Sequence, residues 1–147
     1  MVDLRDLGKG VKVGAIVGAW GGGLYSVFFT FTILRYLPIF ARIPFILITL
    51  VRSIIGGIIF GIIFSLIYYK IPLKNSIQKG LLFYFGFSLI IFLLISYLAP
   101  GLYYTLYYNQ YLPSLKYVYL VVPLIEGLIA GYMWDKFSKK DKKSSPN

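Results

Sequence analysis

Gly10-Val-Lys-Val-Gly14-Ala-Ile-Val-Gly18-Ala-Trp-Gly-Gly22 places glycine at every fourth position through the first apolar segment of the chain. On a helix such residues fall on one stripe, where the missing side chains let a second helix approach closely. The spacing returns as Ser53, Gly57, Gly61 and Ser65, and again as Pro123, Gly127 and Gly131. Between helices in lipid there is no hydrophobic drive, so close packing of small residues is what joins them. The pattern predicts glycine-zipper seams with Gly10, Gly14, Gly18, Gly22, Ser53, Gly57, Gly61, Ser65, Gly127 and Gly131 at the contacts.

Composition says where those helices lie. The chain is 59% hydrophobic and 14% charged, against about 25% charged in a soluble domain. Four apolar stretches, near 11–34, 47–69, 81–99 and 117–134, each approach the roughly 20 residues needed to cross a bilayer. The expected fold is all-α: one polytopic domain over 1–136 with four transmembrane helices, then a basic, disordered tail over 137–147. The first stretch is too long for the apolar core of a signal peptide, and a packing surface is not disposable, so it is expected to remain.

Charge placement orients the bundle. Arg5, Lys9 and Lys12 precede the first stretch, Lys70, Lys74 and Lys79 sit between the second and third, and Lys136, Lys139, Lys140, Lys142 and Lys143 follow the fourth. The opposite side holds Arg35, Arg42, Arg52 and Lys116. The positive-inside rule puts both termini in the cytoplasm of a cell-membrane protein, and an even number of spans requires the same. The net charge of +10 then marks orientation and an inner face suited to anionic lipid, not nucleic acid.

The connections follow from their residues. Residues 1–10 read as a short polar lead. Pro38 and Pro44 argue against one unbroken helix over 35–46, an apolar segment expected in the outer interface. Residues 71–79 form a short inner loop, and the tyrosine-rich stretch 102–119 reads as an outer aromatic belt. The third helix, almost wholly aliphatic over 89–95, is expected to face lipid.

A shift of 66 residues aligns Gly14 with Gly80, Gly61 with Gly127, Ser65 with Gly131 and Lys70 with Lys136; Gly22 meets Ser88 and Thr30 meets Ser96. Both halves begin on the inner side, so a 2+2 repeat would be parallel, about an axis along the membrane normal. Chance matching of common membrane residues is the other account.

The chain has no Cys and no His. Disulfide, thiol, His-ligated haem, iron–sulfur and ordinary zinc chemistry are excluded, and no cofactor or metal is expected. No paired carboxylates or nucleophile–base arrangement remains, so the chain reads as non-enzymatic. Glu126 is the sharpest candidate, an ionisable group in mid-helix beside Pro123 and Gly127. At that depth a charge costs about 2.5–3.5 kcal/mol and needs a partner or a task. Arg52 is the expected partner, about 6 Å away in depth if each helix enters at the outer end of its apolar stretch. A structural ion pair, an intramembrane proton or cation site, and a contact with another subunit are the three readings.

Two resemblances can be read from motifs. Gly61-Ile-Ile-Phe-Ser65-Leu-Ile-Tyr-Tyr-Lys70-Ile-Pro72, with Asn75-Ser76 and Lys79-Gly80, resembles small uncharacterised archaeal four-helix integral membrane proteins. That implies a layout and no chemistry. Gly56-Gly57-x-x-x-Gly61 resembles the glycine end of the signature of the mitochondrial inner-membrane import-channel family. Its Asp and Arg positions hold Thr49 and Phe45 here, and the likeness reads as convergent packing. The expected role is a small membrane subunit or scaffold, packing against itself or within a larger complex. The rival is a small oligomeric transporter or channel using Glu126.

Overall fold

The computed structural model describes residues 4–32, 38–98 and 115–144. Four helices account for nearly all of them: α1 (Leu4–Thr32), α2 (Ile39–Ile67), α3 (Ser76–Leu98) and α4 (Leu115–Ser144), with one 3-10 turn, Tyr68–Lys70, ending α2. Among the described residues there is no strand. Leu4–Phe28, Ile39–Lys70 and Ser76–Leu98 are each long and apolar enough to cross a membrane. The fourth expected stretch lies within α4. The tyrosine-rich stretch falls mostly outside the described residues.

Helix ends differ from expectation at four places, each for a local reason. α3 starts at Ser76, inside the stretch 71–79 expected to be a loop, because Asn75 caps it. The lead is helical from Leu4, and Asp6 in its first turn pairs with Lys9 at 2.8 Å, both side chains largely buried. An acid there also complements the helix dipole. Pro38 sits at the N-cap of α2 with φ −57°, and Pro44 lies inside the helix. A proline just before a helix costs no intrahelical bond; Pro44, in the second turn, forfeits its bond to the carbonyl of Phe40 and crowds that carbonyl, a cost confined to the end of the helix. The segment expected to be interrupted therefore extends α2 outward by two turns. At the far end α4 runs on past Lys136 to Ser144, with Lys139 reaching back one turn to Asp135 at 2.6 Å.

Backbones meet along two seams, α1 against α2 and α3 against α4. A Cβ placed on Gly14 would strike the backbone of Gly57; one on Gly57 would strike Gly14 and Gly18, and one on Gly61 would strike Gly10 and Gly14. Gly18 faces the backbone at Ser53, Gly10 faces Ser65 as well as Gly61, and Gly22 faces Ser53 and Leu50. In the second pair Gly80 lies against Gly127 and Gly131, and Gly131 against Ser76 and Ile77. The contacts of Gly14 with Gly61 and of Gly10 with Ser65 thus recur 66 residues later as Gly80 with Gly127 and Ser76 with Gly131.

The two pairs are joined differently. α1 also packs on α4, whereas α2 meets α3 through rings. Phe64, fully buried, packs edge-on to Trp134 at 5.4 Å and lies 5.2 Å from Phe83, and Trp134 stacks on Tyr68 at 4.5 Å. With Val13, Val17, Tyr84 and Ala130 these form the core. Most of it lies within about three turns of the basic end. That end is fastened by Lys79, which is buried. Its Nζ donates to the Tyr68 carbonyl at 2.8 Å and lies 4.3 Å from the Tyr68 ring centroid. Asn75 starts α3 by accepting from the Ile77 amide at 2.8 Å. Leu89, Ile90, Ile91, Leu93 and Leu94 are exposed on α3, as expected for a lipid-facing stretch.

Candidate functional site

Above the aromatic core the α2–α3 side of the bundle does not close. A cavity of about 190 Å³ remains, lined by Glu126 of α4, Tyr84 and Ser88 of α3, Ser53, Gly56, Gly57 and Phe60 of α2, and Val17, Gly18 and Tyr25 of α1. The cause lies in the side chains below it. Phe60 spans to α3 through Phe87, edge-on at 4.8 Å, and through Tyr84 at 6.2 Å. Rings of this size hold the two backbones apart, whereas glycines pull the partners together on the other seams. All four helices contribute to the wall.

Glu126 is the single acidic residue of that wall. It stands ten residues before Lys136, about 15 Å along the helix. Its carboxylate lies against Gly21, where a Cβ would collide with Oε1. The glycine run Gly21-Gly22-Gly23 therefore divides its work: Gly22 seats α2, Gly21 admits the carboxylate, and Gly23 meets nothing within 4 Å. Tyr84 is 5% exposed, and its hydroxyl is buried without a hydrogen-bond partner. Orphaned hydroxyls of this kind are rare, because burying one unpaired costs about 1–3 kcal/mol.

The structure does not bring Arg52 to Glu126. Arg52 is exposed, in a shallow apolar groove with Leu47, Ile48, Val51 and Ile55. No ion pair joins the two, although both are described. The physical reason is the face of the helix and not its height. Ser53 beside Arg52 sits against Gly18 and Gly22 and lines the cavity with Glu126, which touches Gly21, so α2 and α4 bring these positions to similar heights. Successive residues of a helix point in different directions, and Arg52 falls with Val51 and Ile55 on the exposed side of α2 while Ser53 turns to the seam. The depth expected from the sequence assumed that α2 entered at residue 47, whereas it begins at Ile39.

No family model matches the chain, and no curated protein or solved structure matches it. Its chemistry is read from the cavity. Among the described residues no group of three or more His, Cys, Asp or Glu could hold a metal ion. One carboxylate, several hydroxyls and aromatic walls suit a single positive charge.

Tyr84, Tyr25, Phe60, Ser88 and Gly21 were not singled out by sequence reasoning. Tyr84 and Ser88 carried one usable signal, hydroxyls at i and i+4 on an otherwise apolar helix. Gly21 carried another, since it breaks the every-fourth spacing of its neighbours.

Proposed function

We propose that this chain is a small, non-enzymatic, multi-pass protein of the cell membrane that binds a proton or small cation at Glu126, as a transporter or channel does. The observation that carries this is the seating of Glu126 in a hydroxyl-lined cavity walled by all four helices, with no Lys or Arg among the described residues that line it. Two facts weigh against a purely structural carboxylate: Arg52 is elsewhere, and a glycine stands where a side chain would push the carboxylate away.

The duplicated seam contacts support a parallel 2+2 repeat of glycine-zippered helix pairs, four crossings in all, with both ends cytoplasmic. Under the same shift of 66, Phe60 corresponds to Glu126 and Gly18 to Tyr84, and all four line the cavity. The cavity would then lie on the pseudo-twofold axis, near the midplane. Transporters built from repeats place their sites there.

Assembly with a second copy or a larger complex is a second reading, with one observation behind it. The main glycine ladders are spent within the chain, but Gly23 and Gly86 have open space where a Cβ would be, and another helix could approach there. Exposed Lys136, Lys139 and Lys140 at the end of α4 suit the anionic inner leaflet.

The test is proton movement into proteoliposomes under an imposed gradient, read with an internal pH dye. Wild-type protein should conduct or exchange protons, and Glu126→Gln should abolish this while its melting temperature stays put. Equal flux in both would sink the site reading. Native mass spectrometry from the source membrane would then test the scaffold role through co-purifying subunits.

A further inference from the structure

We propose that the cavity is a binding site for a small protonated primary amine with an apolar body; this rests on the cation reading of Glu126 and names its ligand. Three features of the cavity select that class. First, charge: Glu126 is the single carboxyl group of the wall, so when ionised it balances one monovalent cation, and a divalent ion would leave a buried excess. Second, surface: Phe60, Tyr84 and Val17 present rings and aliphatic carbon to the same space. A cation is attracted to an aromatic face within about 6 Å of its centroid, and an apolar body finds the rest of the wall congenial. Third, the unpaired hydroxyl: Tyr84 is 5% exposed and makes no hydrogen bond.

The third feature narrows the cation. A quaternary ammonium has no N–H and would leave the Tyr84 oxygen as unpaired as it is now. A primary ammonium carries three donors in a fixed tetrahedral fan. One can reach the Glu126 carboxylate and another the Tyr84 oxygen, with Ser88 one turn along α3 as a third acceptor. The volume agrees. About 190 Å³ is the share of roughly six waters at about 30 Å³ each. That is room for an amine with a ring or short chain. Gly21 contributes by leaving the carboxylate unobstructed on the α1 side.

The experiment is isothermal titration calorimetry on the full chain in lipid nanodiscs at pH 8, with benzylammonium as probe and tetramethylammonium and sodium as comparators. Benzylammonium is expected to bind at least tenfold more tightly than either comparator. Glu126→Gln should abolish binding, and Tyr84→Phe should weaken benzylammonium at least fivefold while leaving tetramethylammonium unaffected. Because Tyr84→Phe removes an unpaired hydroxyl and keeps the ring, its melting temperature should hold or rise, which separates a lost contact from a damaged fold. Equal binding of benzylammonium and tetramethylammonium, or no effect of Tyr84→Phe, would overturn the amine assignment and leave a general cation site standing. Response to sodium or protons alone would do the same. No response to any of these cations, with no proton flux in liposomes, would overturn both readings.

Discussion

The two helix pairs are alike in backbone and unlike in what they turn toward each other. In α1–α2, Gly14 meets Gly61; in α3–α4, Gly80 meets Gly127 at the corresponding contact. Yet where the first pair places Gly18 and Phe60 beside the cavity, the second places Tyr84 and Glu126. Where two backbones touch, as at Gly14 and at Gly80, little besides a missing side chain fits, because a Cβ there would strike backbone, which cannot step aside. Toward the cavity, where Tyr84 and Glu126 of the second pair answer to Gly18 and Phe60 of the first, the chemistry diverges.

The largest effect should come from filling a seam. Gly57→Leu puts a side chain into the Gly14 and Gly18 backbone and should cost about 3 kcal/mol or more, the upper range of overpacking. Thermal unfolding in detergent would read this as loss of a cooperative transition. Gly127→Leu should do the same to the second pair, and a tolerated change there would break the equivalence of the two seams. The control is Gly86→Ala, which meets nothing within 4 Å and should leave the transition where it is.

Next is the aromatic floor beneath the cavity. Trp134→Ala removes a ring that is 1% exposed and stacked on Tyr68, and should cost about 3–5 kcal/mol. If the floor is what holds the cavity open, ligand binding should fall along with stability. Lys79→Met tests the fastening between the pairs. It deletes the 2.8 Å bond to the Tyr68 carbonyl and should cost about 1.5–3 kcal/mol, as for a charged hydrogen bond.

Smaller, and confined to the site, is Gly21→Ala. Its methyl would meet the flexible end of Glu126, so the carboxylate should swing aside. Cation binding should drop severalfold, about 1 kcal/mol, while the melting temperature changes little. The smallest effect belongs to Arg52→Gln. An exposed residue that does not line the cavity should move stability by no more than about 0.5 kcal/mol and binding by less than twofold. A large loss of binding there would restore the charge pair that the structure separates.

These contrasts separate what could be read in the residue order from what could not. The seams were legible because every-fourth spacing projects onto one helical stripe whatever the neighbouring helix is. Glu126 was legible because a charge in an apolar run is costly wherever the run is placed. The wall around it was not. Tyr84, Phe60 and Tyr25 belong to three helices, and residue order says nothing of which faces converge. Arg52 was misjudged for the same reason: its neighbour Ser53 reaches the cavity, but Arg52 itself stands on the exposed face of α2.

By itself the sequence determined the class of molecule: all-helical, rich in apolar stretches long enough to cross a membrane, with basic residues gathered toward one end and glycine where helices must touch. Each of these follows from local periodicity and from the cost of charge in hydrocarbon, and neither depends on tertiary contacts. Tertiary structure alone decided which glycine meets which, that the basic end closes over Phe64 and Trp134, that Arg52 and Glu126 stay apart, and that an unpaired tyrosine shares a cavity with the Glu126 carboxylate. Those are relations between helices, set by how ring volumes and bare backbone balance across the whole bundle.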